Sequence, residues 1–159
     1  MLADQKKLDE EIFKNSGIKE YPLENIKLAL LVELGELCNE DKSFKYWKKH
    51  KEVNKERLLD EFADCLHFSL SLENHLGQIR RDKLIDFDNF VNPLIENSKK
   101  MEDDISEDFI NTFCAVLEER SILIAVIVLG ICLDIPLDEM ESCYYKKHKE
   151  NYKRQQEGY

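Results

Sequence analysis

Five glycines and three prolines are all the strong backbone punctuation this 159-residue chain carries. That scarcity restricts its folds more than any other feature. A sandwich or barrel needs a turn every ~8–12 residues, and these few breakers cannot supply them. The apolar residues instead recur at helical spacing. Leu8, Ile12 and Phe13 lie on one side of a short helix over Leu2 to Asn15, with Ser16-Gly17 as its stop. Tyr21-Pro22 opens a second helix, Leu23 to Asn39, that is apolar almost all round and reads as central. Asp41 to Asn54 is a basic loop with an aromatic knot, Phe44-Lys45-Tyr46-Trp47. A third helix runs from about Glu56 to Leu76, closed by Gly77. The stretch from Arg80 to Asp103 has no clean period and suggests an excursion with a short helix near Phe87 to Ile95. Asp104 or Ser106 caps a helix bearing Phe109, Ile110, Phe113, Val116 and Leu117. The chain continues or bends into an apolar run ending near Leu133. Asp134 and Pro136 open the last helix, which carries Leu137, Met140, Cys143 and Tyr144 and then turns basic. The expected fold is all-α, in one domain spanning residues 1–159.

The formal net charge is −10, which argues against a non-specific binder of nucleic acid or of an anionic membrane. The longest apolar run, Ile122 to Leu133, is too short for a bilayer span of ~20 residues. The cysteines at 38, 65, 114, 132 and 143 are odd in number and form no CxxC. They read as buried thiols of a reduced, cytoplasmic protein, with no secretory leader at the start.

Four acids stand out by position. Glu33 and Glu36 interrupt the most apolar helix of the first half, and Glu61 and Asp64 interrupt the next. Residues three apart share a helix face, so each helix presents two carboxylates to one side. Carboxylates inside apolar helices are costly unless neutralised. The segments Leu28 to Leu37 and Phe62 to Leu72 contain no Lys or Arg to do so. An oxygen-only ligand set suits Mg²⁺, Mn²⁺ or Ca²⁺. The bland alternative is four surface acids on ordinary amphipathic helices. One ExxE in a chain with 35% charged residues means little, but two such pairs on consecutive apolar helices are less common. A carboxylate-bridged di-iron bundle would want Glu-x-x-His on two helices, and only Asp64-x-x-His67 comes near that.

Glu33-Leu34-Gly35-Glu36 followed by Glu61-Phe62-Ala63-Asp64 resembles the ExxE…ExxD signature of the all-α NTP pyrophosphatases, the superfamily of MazG-type enzymes, dCTP pyrophosphatases and dimeric dUTPases. Leu30 to Glu40, Phe44-Lys45-Tyr46-Trp47 and Asp64-Cys65-Leu66-His67-Phe68 narrow the likeness to the dimeric dUTPases. Tyr144-x-x-Lys147-x-x-x-Asn151-x-x-Arg154-Gln155-x-x-Gly158-Tyr159 is similar to that family's phosphate-binding tail. The match spans about residues 23 to 76 and 137 to 159.

The resemblance implies a helical bundle, a homodimer, and hydrolysis of dUTP to dUMP and pyrophosphate, with dUDP also accepted. It implies two to three Mg²⁺ ions, with Mn²⁺ an alternative, held by Glu33, Glu36, Glu61 and Asp64. One carboxylate, Glu36 or another, takes the proton of the attacking water. Lys147, Asn151, Arg154 and Tyr159 would bind phosphate, against the plainer reading of a solvated basic helix. Lys45 would reach phosphate or brace a carboxylate. Trp47 would pack on uracil or deoxyribose, or anchor the loop in the core. Asn39 would touch substrate, or merely cap its helix. Gln5, with Asp9 one turn on, would read the uracil edge through its flat amide. His67 either orients Asp64 or is an interior histidine. Phe87 and Phe90 either cover the base or belong to the core. The alternatives are another nucleotide such as dCTP or a modified dNTP, decided by the base pocket alone, and a non-enzymatic helical interaction protein. Surplus apolar surface on the acidic helices and on Ile122 to Leu133 agrees with a dimer.

Overall fold

The computed structural model describes residues 1–77 and 105–158. The expectations at Phe87, Phe90, Asp104 and Tyr159 lie outside those residues. The described chain forms six helices and no strand: α1 Leu2–Ser16, α2 Leu23–Asp41, α3 Lys55–Leu76, α4 Ile105–Leu117, α5 Ile122–Cys132 and α6 Leu137–Gln156. The all-α expectation is met.

The helix ends follow local chemistry. Gly17 (φ 68°) and Gly77 (φ 62°) close α1 and α3 in the left-handed region that glycine enters at little cost. The Asn54 side chain accepts from the backbone N–H of Arg57 and caps α3. α2 runs past Asn39 to Asp41, and Lys42 (φ 65°) is its C-cap, so Asn39 is not a cap. α4 and α5 are separate helices, because Glu119 (φ 53°) and Ser121 (φ 45°) both turn left-handed and break the hydrogen-bond ladder between them.

α3 is the axis of the bundle. It packs against α2, α6, α5 and α1, and eleven of its residues are buried, from Leu58 to Glu73. Phe62, Leu66 and Leu72 meet Leu30, Leu34 and Leu37 of α2 and Val126 and Leu129 of α5 in one core cluster. Gly130 lets α5 approach closely: a Cβ there would fall 2.5 Å from the Phe62 ring and 2.6 Å from the Met140 methyl.

Some of the surplus apolar surface expected on α2 lies open in the single chain. Leu28 is 61% and Val32 50% exposed, one turn apart on its outer face. On α4, Ile110 and Leu117 are similarly exposed at 60% and 62%. Among the described residues, α2 packs mainly against α3 and α4. The buried-thiol expectation fails in part: Cys65 is buried, but Cys38, Cys132 and Cys143 are half-buried and Cys114 is exposed. Among the described residues no helix is long and apolar enough to cross a membrane.

Candidate metal centre and nucleotide cleft

The two ExxE/D helices lie side by side, and their acidic faces meet. One carboxylate oxygen each from Glu33, Glu61 and Asp64 falls within 4.8 Å of the others. The spacing of three on each helix does this, because it puts the acids on the seam while Leu30, Leu34, Phe62 and Leu66 turn to the core. Glu36 is exposed at the rim. Its charge bears on both Glu33 and Glu61, but its oxygens lie outside the tight trio.

The trio is electrostatically crowded. Burial, then the charges of Asp64, Glu36 and Glu61, push the Glu33 carboxyl up to about 7. Burial and the neighbouring acids also raise Glu61. Asp64 is raised as well, because burial outweighs the ion pair and hydrogen bond it makes with Lys147. Acids held this close and partly desolvated stay ionised together only if positive charge joins them. Their all-oxygen donor set, open at the rim, fits a hard divalent cation.

One neutralising group is already present, and the sequence segments flanking the acids gave no sign of it. Lys147 of α6 reaches in with its Nζ 2.6 Å from Oδ2 of Asp64 and 2.9 Å from Oδ2 of Asp60. Only 8% of its side chain is exposed. Asp60 was not singled out from sequence. The signal was its position one turn before Asp64 on the same face.

A cleft of about 470 Å³ runs from Glu33 and Asp64 toward α1. Asn151, Arg154 and Gln155 of α6 form one wall, and Gln5 and Asp9 of α1 its far end. Three expected ligand-binding residues, Gln5, Asn151 and Arg154, therefore converge on the space beside the acids. At the far end Gln5 is 3% exposed. Its Nε2 donates to Oδ1 of Asp9 at 2.7 Å, and its Oε1 accepts from the Tyr144 hydroxyl at 3.3 Å. Burial raises the Asp9 carboxyl against hydrogen bonds from Ser71 and Gln5. The hydroxyls of Ser71 and Tyr21 lie 2.9 Å apart, and the Tyr21 ring stacks on His75 at 4.0 Å.

His67, Phe68 and Ser71 also line the cleft. They follow Asp64 by three, four and seven residues, the spacing of one helix face. His67 does not serve Asp64: its Nε2 lies 3.4 Å from the Tyr144 carbonyl oxygen, and its ring stacks on Tyr144. A carbonyl only accepts, so that nitrogen carries the hydrogen, and the partnerless Nδ1 is a bare acceptor. Burial holds the imidazole at about 4, hence neutral near pH 7. His67 is not among the three residues whose ligand atoms converge.

Lys45, Trp47 and Asn39 do not line this cleft. The Lys45 ammonium donates to the Asn39 carbonyl oxygen at 3.1 Å. Trp47 is 60% exposed and meets Phe44 and Tyr46 edge-on, so it does not anchor the loop in the core. Within the loop, the Lys42 ammonium donates to the Glu52 carbonyl oxygen and the Lys51 ammonium to the Ser43 carbonyl oxygen, both at 2.6 Å.

No curated protein matches the sequence. The family model described as dUTPase matches residues 1–159. With its paired-acid helices, its acid trio and a family match along the whole chain, the protein belongs to the dUTPase family.

Proposed function

We propose that the protein hydrolyses dUTP, and dUDP, to dUMP with Mg²⁺ or Mn²⁺ as cofactor, releasing pyrophosphate from the triphosphate and so limiting uracil incorporation into DNA. The observation that carries this reading is the convergence of Glu33, Glu61 and Asp64 at one end of a cleft whose other end presents a buried, oriented amide. Family membership adds to it.

Glu33, Glu61 and Asp64, with Glu36 at the rim, would hold two to three cations. When bound, these ions neutralise phosphate charge and make a coordinated water more acidic. The chain supplies the rest. Glu36, exposed beside the trio, would accept the proton of the attacking water. Arg154 and Asn151 offer a guanidinium and an amide along the cleft wall, suited to phosphate oxygens, and Lys147 adds an ammonium beside Asp64. Tyr159 is assigned here by resemblance alone, as are Lys45, Asn39 and Trp47. Gln5 reads the base: a planar amide pairs with the O4 and N3–H edge of uracil.

The exposed Leu28, Val32, Ile110 and Leu117 support a homodimer built across α2 and α4. Cysteines kept as thiols fit a reducing, cytoplasmic setting. The decisive test is product release from dUTP, dCTP, dTTP and dATP, with and without Mg²⁺, in wild type and Glu36→Gln. The expected result is Mg²⁺-dependent, dUTP-selective turnover that the variant loses. Preference for dCTP would move the assignment to another nucleotide. Wild-type rates in Glu36→Gln would overturn the role given to that acid.

A further inference from the structure

Lys147 serves two acids at once. Its Nζ sits between Asp64, one of the trio, and Asp60, which is not. Burial alone would lower the ammonium's affinity for its proton. The hydrogen bonds and charges of Asp64 and Asp60 outweigh that and hold it above its ordinary value, so it stays charged. The two acids differ in setting: the Asp64 side chain is 20% exposed and Asp60 47%. Both sit on one face of α3, four residues apart, opposite the same point of α6. An ammonium has three donors and no fixed plane, so it can shift weight between two such partners with little movement of its stem.

That arrangement answers a problem the trio sets. Asp64 cannot give its full charge to a divalent cation while it is the sole counter-ion of a buried lysine. Lys147 cannot simply leave, because its side chain is enclosed and an unpaired buried ammonium is costly. A second carboxylate at 2.9 Å removes the conflict. We propose that Asp60 is a positioning residue: it takes the Lys147 ammonium when Asp64 turns to a divalent cation, and it keeps that ammonium beside the acids. This rests on the metal-dependent reading above. Asp60 touches neither the cation nor the nucleotide; it acts through Lys147.

Without Asp60, Lys147 would rest wholly on Asp64 and compete with the cation. Asp60→Asn should therefore weaken Mn²⁺ binding by about 10-fold, the usual scale for losing an outer partner of a metal ligand. KM for dUTP should rise more than kcat falls. In a Lys147→Gln background the same substitution should matter by less than about twofold, the scale of a half-exposed, solvent-screened charge. Asp60→Glu should restore most of the binding. The measurement is calorimetric Mn²⁺ titration of the four proteins of this cycle and of Asp60→Glu, with thermal melts to compare folding. Equal weakening in both Lys147 backgrounds would mean that Asp60 acts only as a nearby charge, and the proposal would fall. No weakening in the Lys147 background would also overturn it. A wild type that neither binds Mn²⁺ nor hydrolyses dUTP would overturn the metal-dependent function as well, which separates the two failures.

Discussion

Gln5 and Asp9 are joined by a 2.7 Å hydrogen bond from the amide Nε2 to the carboxyl Oδ1, one turn apart on α1 and at the far end of the cleft. With the Tyr144 hydroxyl on the amide oxygen, this bond fixes which end of Gln5 is donor and which acceptor. An unfixed amide could turn over and present either edge. Asp9→Ala should therefore loosen base selection rather than chemistry. KM for dUTP should rise about 10-fold, the loss of one hydrogen bond of roughly 1.4 kcal/mol, with kcat nearly unchanged. Steady-state kinetics on dUTP and dCTP would check this, and an unchanged KM would remove Asp9 from the pocket.

Glu33 makes the metal site sensitive to pH. Its folded-state carboxyl lies near 7, against an ordinary value of 4.5. Between those values the folded chain holds a proton that the unfolded chain has released. The metal-free fold therefore loses stability from this group as pH rises from about 4.5 to about 7. A cation needs the carboxylate, so binding must expel that proton on the acid side. Mn²⁺ titrations in two buffers of different ionisation enthalpy should show proton release near pH 6 that fades by about pH 8.5. Glu33→Gln should remove most of it. Equal release at both pH values would argue against this acid as a ligand.

The approach of α5 to α3 depends on Gly130. A methyl there collides with the Phe62 ring, which is fully enclosed, and with the more compliant Met140 side chain. Gly130→Ala should cost about 2 kcal/mol, the usual scale of overpacking, even though alanine is the better helix former. A chemical-denaturation midpoint at or above that of wild type would show that the interface relaxes freely.

The outer face of α2 gives a direct test of assembly. Leu28→Glu with Val32→Glu places two charges on a stripe already open to solvent in the single chain. Such charges would be tolerated in a monomer but not across an apolar interface. Light scattering should report a dimer for wild type and a monomer for the double variant, with helix content kept. A wild type that runs as a monomer would leave this face without a partner.

Much of the bundle was legible in the sequence because helical periodicity and glycine stops are local signals. The ends at Gly17 and Gly77 and the paired acids of α2 and α3 fall where their spacing put them. What escaped was long-range. Lys147 stands 83 positions after Asp64 in the sequence, and nothing local marks it as that acid's counter-ion. Trp47 could be read as a base-packing ring or a core anchor, and its 60% exposure excludes the second. The outer stripe of α2 was legible as surplus apolar surface, but periodicity reports apolarity and cannot tell which neighbour covers it.

The single rod of α3 carries Asp64 beside the acids and Ser71 by the far end of the cleft. Seven residues at 1.5 Å each separate them by about 10 Å along the axis. That interval acts as a ruler, set by helical rise and indifferent to loop motion. A ligand that engages both ends must match its length, and a one-residue deletion between Asp64 and Ser71 would rotate the far marks by about 100° off the scale.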